Sequence, residues 1–366
     1  MKIALLGDIA IFGCHCLSKN KKFKNYFDKV KKHLSSFDIV IGNLEAPFAD
    51  NEKPILGKSA TVKSHPINVE LLNYLGITHV NLANNHIGDF GTSGYERTKE
   101  LLSSHNIEWF GTENRKIDIE INDEKISLLG FCSYNTNPAA VISKSKLGLN
   151  YLDASDVYEN VKKNFERGFL SIVAIHSGQE HIHMPSSEDV IFARKIAKDF
   201  NYVYFGHHPH VIQGFEKVNG SAIFYSLGNF IFDDVYTPRD INKPLIKLTE
   251  SNKTGIIGEI EVQNSEIIKC NSTIVYMSPE SMKVDDEIHG VDLDDYNSIL
   301  QDVGSDEYNQ KRSSLVQDFK HSRRQMRDLK WYMKRLNLNS ILILLKARQN
   351  LLLYKKHFTS KIDLIG

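Results

Sequence analysis

Gly206-His207-His208-Pro209-His210 places three histidines within four residues, and packing offers no reason for them. Imidazole is only intermediate in burial frequency, and clustered rings repel one another once protonated. A turn holding alternate histidines, here His208 and His210, can aim two ring nitrogens at one point, and imidazole is the commonest protein ligand for transition metals. Upstream, Asn84-Asn85-His86 adds amide oxygens and a further imidazole. The chemistry this combination suggests is metal-dependent hydrolysis.

Other residues able to join such a site stand where apolar runs stop. Gly7-Asp8 closes the first run, and a carboxylate there projects into the crevice at the carboxyl edge of a sheet. Gly42-Asn43-Leu44-Glu45 closes the second, and Glu45 could bridge two cations through its two oxygens. In Asn85-His86-Ile87-Gly88-Asp89, the Asn85 carbonyl oxygen suits a metal, His86 could protonate a leaving group, and Asp89 could hold the His86 ring in one tautomer. Asn, Asp and Gly also make turns and helix caps, which accounts for Asp89 and Gly91 but not for His86. His176 follows Leu170–Ile175, with Glu180 close behind as a candidate outer partner; His181 and His183 stay unassigned. Ser226-Leu227-Gly228-Asn229-Phe230 closes a later run. His207, Asn229 and Glu180 are expected on the substrate side of the crevice.

The elements that must carry these residues alternate. Strands are expected at Lys2–Gly7, Asp38–Ile41, His79–Leu82, Ile126–Phe131, Leu170–Ile175 and Tyr202–Phe205. Helices are expected at Phe23–Leu34, Asn68–Leu75, Thr92–Ser104, Ser155–Glu166 and Ser187–Asp199. Strand–helix alternation argues for an α/β core with its site at the strand ends. The later runs Ala222–Ser226, Leu245–Leu248, Ile256–Val262 and Ile267–Tyr276 lack intervening helices and read as an antiparallel second sheet, packed face to face on the first.

The chain has 366 residues, 41% of them hydrophobic, enough for a sizeable core, and its formal net charge of zero argues against nucleic acid as a partner. Cys14, Cys16, Cys132 and Cys270 are too few for a disulfide framework and read as reduced thiols in a cytoplasmic protein. The apolar start is stopped by Asp8 and is too short for a signal peptide. Glu280–Glu307 holds ten acids against one lysine, which reads as a solvated linker over 280–310. Lys311–Lys361 holds fourteen Lys and Arg against two Asp, with helical patterning. That basic helical tail over 311–366 is either a hairpin covering the core or a segment attracted to an anionic membrane face or acidic polymer.

Taken in order, Gly7-Asp8, Gly42-Asn43-Leu44-Glu45, Leu82-Ala83-Asn84-Asn85-His86, Gly206-His207-His208-Pro209-His210 and Ser226-Leu227-Gly228-Asn229-Phe230 resemble the motifs of the capsule-synthesis CapA family, a branch of the calcineurin-like metallophosphatases. The resemblance covers Met1 to about Phe232. It implies an α/β, four-layer helix–sheet–sheet–helix metallophosphatase sandwich over 1–279, followed here by a helical C-terminal tail. It implies metal ligation by Asp8, Glu45, Asn85, His176, His208 and His210, with His86 as general acid positioned by Asp89. One or two divalent ions, Mn or Fe/Zn, would serve hydrolysis of a phosphoester in capsule or extracellular polymer biosynthesis. Where the wider superfamily has a histidine two residues after the first Asp, this chain has Ala10. The rival expectation is a non-hydrolytic accessory component of a capsule-assembly complex that binds an anionic polymer, peripheral at the inner membrane face through its basic tail.

Overall fold

A computed structural model describes the chain except residues 19–22, 139–147, 237–241, 286–290, 326–328, 330–332 and 334–336. Among the described residues two sheets pack face to face. The first runs β14-β13-β12-β1-β2-β3-β4, with β11 also paired to β1; the second runs β5-β6-β7-β8-β10-β9. In chain order the strands are β1 Lys2–Ile9, β2 Ile39–Leu44, β3 His79–Asn81, β4 Glu108–Phe110, β5 Ile117–Ile121, β6 Glu124–Cys132, β7 Leu170–His176, β8 Tyr202–His207, β9 Phe215–Val218, β10 Ser221–Phe224, β11 Asn229–Ile231, β12 Thr254–Gln263, β13 Glu266–Met277 and β14 Met282–Val284.

The pleat sorts each central strand between two cores. Ile3 and Leu5 of β1 face the inter-sheet core with Ile41, Leu128, Ile172 and Phe205. Ala4 and Leu6 face the opposite way, into a core shared with Leu34, Leu72 and Tyr95. Those three come from α1 Asp28–Leu34, α2 Val69–Tyr74 and α3 Gly91–Ser104. On the far side, Val173 and Tyr204 pack on Val157 of α4 Ala154–Glu166 and on Phe192 and Ala193 of α5 Ser187–Asp199. The expected helix–sheet–sheet–helix order is therefore observed. Strands covered on both faces need continuous apolar runs rather than alternation, and β7 is buried along its whole length.

The late strands depart from expectation. β12 pairs antiparallel with β1, and β13 with β12, so both extend the first sheet. The second sheet is built instead around parallel pairs of β6, β7, β8 and β10. Antiparallel hairpins need only a tight turn, so the apolar pattern of Ile256–Val262 cannot say which open edge receives it. Leu245–Leu248 is not a strand; its contribution is an isolated bridge between Ile246 and Val235.

After a short α6 Glu250–Lys253 that leads into β12, the C-terminal region comprises α7 Leu293–Ser298, α8 Asp306–Gln325 and α9 Leu338–Tyr354. Its described parts fold back on the core. Tyr308 is buried, and its hydroxyl donates to the Pro185 carbonyl at 2.7 Å. Beyond α9, Phe358 stacks edge-on against Phe192 with ring centroids 5.0 Å apart, and Ile362 and Ile365 are buried beside it. His357 Nδ1 lies 2.9 Å from Asp153 Oδ2, the carboxylate that also caps α4.

Phe358→Ala should lower the free energy of unfolding by about 3–5 kcal/mol, the cost of emptying a buried aromatic site. Urea titration followed by circular dichroism measures it; an unchanged midpoint would mean that this segment does not dock.

Candidate metal centre

Strand register brings the candidate residues together before any side chain is considered. At the carboxyl end of the first sheet, Asn229, Asp8, Asn43 and Asn81 lie in one row across β11, β1, β2 and β3. At the corresponding end of the second sheet, Cys132, His176 and His207 form another. The row through Asp8 needs a close backbone crossing. A Cβ on Gly7 would sit 2.2 Å from the Gly228 carbonyl oxygen, and the Asp8 amide donates to that oxygen at 3.0 Å. After β8 the chain turns sharply, with His208 at φ +96° and His210 at φ +56°. Left-handed backbone at a non-glycine residue costs about 1–3 kcal/mol and persists where surrounding structure enforces it. Here it turns the rings of His208 and His210 toward the sheet ends.

Asp8, Glu45 and His176 are all buried and offer ligand atoms within 4.8 Å of one another. His210 reaches the same point, with Nδ1 3.2 Å from Asp8 Oδ2 and Nε2 3.6 Å from Glu45 Oε1. Asn85 Oδ1 lies 3.0 Å from His176 Nε2, and the His208 ring centroid is 4.9 Å from that of His176. Both Glu45 oxygens and His208 Nδ1 are buried without a hydrogen-bond partner among the described residues. Buried polar atoms are almost always paired, and an orphaned carboxylate among imidazoles is what a cation site looks like. The donor set, mixed nitrogen and oxygen, fits a divalent transition metal.

Electrostatics agree. Burial alone would raise the Asp8 carboxyl, but His207 and His210 overcome it and hold Asp8 well below the usual carboxylate range. Burial pushes Glu45 well up; Asp8 and Glu180 add to this against the opposing pull of His210 and Lys58. His176 is pushed down by burial and by His208, and His208 falls to about 3, chiefly through burial. His210 rises to about 10, because Glu45 and Asp8 outweigh its burial. His176 and His208 are thus held as neutral imidazoles, ready to ligate, whereas His210 keeps its proton between the two carboxylates and would give it up to an entering cation.

His86 stands beside this cluster, its Nε2 3.9 Å from Glu45 Oε1. Its Nδ1 lies 2.7 Å from Asp89 Oδ2. A carboxylate only accepts, so the Nδ1 proton is held there and Nε2 is left facing the cluster. Lys58 was not foreseen: its ammonium donates to Asp89 Oδ1 at 2.8 Å and to the Asn85 carbonyl at 2.5 Å. Burial and Lys58 together lower His86, against Asp89. Asn84 anchors the loop, accepting the His86 and Ile87 amides at 3.1 and 2.9 Å and donating to the Leu44 carbonyl.

A cavity of about 150 Å³ opens against Lys58, Asn85, His86, Glu180, His210 and Arg323. Glu180 lines it, 3.6 Å from Arg323. The other two residues expected on the substrate side are elsewhere. His207 has the same parity on β8 as Val203 and Phe205, which face the inter-sheet core. Its side chain is fully buried there, edge-on to Phe205, with Nδ1 2.9 Å from Asp8 Oδ1 but not aligned as a hydrogen bond. Asn229 is buried behind His210, its Oδ1 2.9 Å from Nδ1. It positions the imidazole rather than meeting a ligand. His181 packs on Phe319, and His183 Nδ1 lies 2.9 Å from the Ile212 carbonyl. Asn43, legible only as part of a strand end, donates to Asp8 Oδ1 at 2.9 Å.

Against known proteins, the family described as bacterial capsule synthesis protein PGA_cap matches residues 2–234. The chain belongs to this family. Among members of known name, it is 27% identical over 289 residues to the capsule biosynthesis protein CapA of Bacillus anthracis, covering 73% of this chain and 68% of that one. It is 28% identical over 230 residues to the PGA biosynthesis protein CapA of Bacillus subtilis, covering 60% of each. The chain thus spans some 60–68% of the length of those relatives. Among solved structures, NAD nucleotidase of Haemophilus influenzae superposes with a TM-score of 0.44 at 13% identity, over 89% of this chain and 60% of that one. The matched span 2–234 includes every residue of the Asp8–Glu45–His176–His210 cluster.

Elemental analysis should find a divalent transition metal in the purified protein and a loss of it in His208→Ala/His210→Ala. Asn43→Ala, which removes a hydrogen-bond partner of Asp8 together with the acceptor of Asn81 and Asn84, should weaken metal affinity about 10–100-fold, as removal of such outer partners does.

Proposed function

We propose that this capsule synthesis protein is a metal-dependent hydrolase of phosphoester type, acting on an anionic substrate in the making of a capsule or other extracellular polymer. The observation that carries the reading is the orphaned, buried Glu45 carboxylate in contact distance of Asp8, His176 and His210, with the His86–Asp89 pair alongside. Asp8, Glu45, Asn85, His176, His208 and His210 would hold one or two ions, Mn or Fe/Zn. When bound, such an ion supplies Lewis-acid polarisation of a phosphoryl oxygen and an acidified water.

The chain's own residues do the rest. Asp89 holds the Nδ1 proton of His86 and, against burial and Lys58, favours the doubly protonated ring, whose Nε2 proton would face the departing oxygen. The lowered proton affinity of His86 makes that Nε2 proton a readily given one. Lys58 keeps Asp89 ionised, since the carboxylate is pushed up by its burial but pulled below its ordinary value by Lys58 and His86. Asn229 fixes His210, and Asn43 fixes Asp8, so the ligand atoms need no reorganisation. Lys58, Arg323 and Lys346 line the cavity and favour an anion, and its size suits a phosphoryl-sized group entering as the end of a larger molecule.

A second reading is an accessory component that binds an anionic chain without cleaving it; it is favoured by the cationic wall that Arg323 and Lys346 contribute. His86→Ala separates the two. For the hydrolase it should cut metal-dependent turnover of phosphodiester or phosphomonoester substrates by about 10²–10⁴-fold while leaving bound metal unchanged. Unchanged turnover would remove His86 from the chemistry, and absent turnover with metal retained would favour the accessory component.

A further inference from the structure

Helix α9 is apolar nearly all round, a composition that belongs to a helix covered on every side. Among the described residues only one side is covered. Its inner residues Ile343, Lys346, Ala347 and Asn350 form a wall of the cavity beside His86. The helix is seated on the loop that carries Lys58, where the Gly57 amide donates to Asn339 Oδ1 at 2.5 Å. Its outer side presents Leu338, Ile341, Leu342, Leu344, Leu345, Leu351 and Leu352, each between 40% and 80% exposed. An apolar strip along a helix of about 25 Å exceeds what scattered surface leucines explain.

The charge around this strip selects what covers it. Arg348 lies within it, and Lys355 and Lys356 follow it, all exposed. From Leu329 to Ile362 the sequence has eight Lys and Arg and no Asp or Glu. A second copy of the same face would set cations against cations. A bilayer carrying anionic headgroups complements both the leucines and the surrounding charge. No helix among the described residues is long and apolar enough to cross a membrane, so the geometry is that of a helix lying in the interface.

We infer that α9 is a membrane-docking helix whose outer leucine face enters an anionic lipid surface. Because its inner face walls the cavity, docking would bring the metal site to within about one helix diameter of the bilayer surface. The docking itself does not depend on the hydrolase reading, and its test involves neither metal nor turnover.

The full chain is sedimented with vesicles of phosphatidylcholine containing 30% phosphatidylglycerol, on the order of what an anionic surface requires, and with phosphatidylcholine alone. It is expected in the pellet with the anionic vesicles at low salt and largely in the supernatant with the neutral ones. Leu344→Glu/Leu352→Glu, placed at exposed positions, should reduce partitioning by about ten-fold or more with an unchanged thermal melt. Leu344→Ser/Leu352→Ser, which adds no charge, should reduce it as well and serves if the first variant misfolds. Wild-type protein remaining in the supernatant with anionic vesicles, or variants pelleting like wild type, would overturn the inference. So would a wild-type dimer in sedimentation velocity that the substitutions dissociate while vesicle binding is absent, since that result would assign the face to a second copy.

Discussion

Two carboxylates, Asp8 and Glu45, are fully buried within a few ångströms of each other, and much of this structure exists to make that tolerable. An isolated buried carboxylate costs several kcal/mol or gives up its charge. Asp8 is compensated from within the protein, by the Asn43 amide, the His208 backbone amide and the imidazoles of His207 and His210. Glu45 is not. That asymmetry gives the site its character: one carboxylate is anchored, and the other has both oxygens available to whatever enters.

Holding such a cluster in place demands rigidity from elements distant in sequence. Parallel strands from two sheets end at the same level, and β1, β2, β7 and β8 end at or beside a residue of the cluster or its support. The crossing of β1 and β11 at Gly7 and Gly228 leaves no room for a side chain, and it sets the height of Asp8 against the opposite sheet. The left-handed turn at His208 and His210 is strained for the same purpose. Strain of this kind is carried by the apolar core on either side of the strands, which is continuous from Ile3 to Phe224.

The family match ends at residue 234, but the walls of the cavity do not. Arg323 of α8 and Lys346 of α9 reach the opening from the other end of the chain. The region that carries them is tied down by Tyr308, buried with Ile182 and Met184, and by Phe358 and Ile362, buried against the helical layer of the second sheet. One part of the molecule therefore holds the donor atoms, and another shapes and charges the approach to them. α9 serves the approach with one face and presents exposed leucines on the other.

Several features were written locally and could be read without the fold. Each parallel strand is buried on both faces, so it appears as an uninterrupted apolar run, and the residue that stops the run is by construction at a sheet end. Asp8, His176 and the histidines of 207–210 were visible for that reason, as was the alternation that defines the core. What stayed hidden depends on parity and on meetings between distant loops. His207 belongs between the sheets because it shares the pleat of Val203 and Phe205, which fixes its side only once the sheets are stacked. β12 and β13 joined the first sheet because β1 had an open edge there. Lys58, Arg323 and Lys346 follow no spacing pattern; they act together only because a loop and two C-terminal helices close over the same cavity. The donor atoms were thus set by local sequence, whereas their environment was set by packing, since a residue's type travels along the chain but its neighbours are decided by long-range contacts.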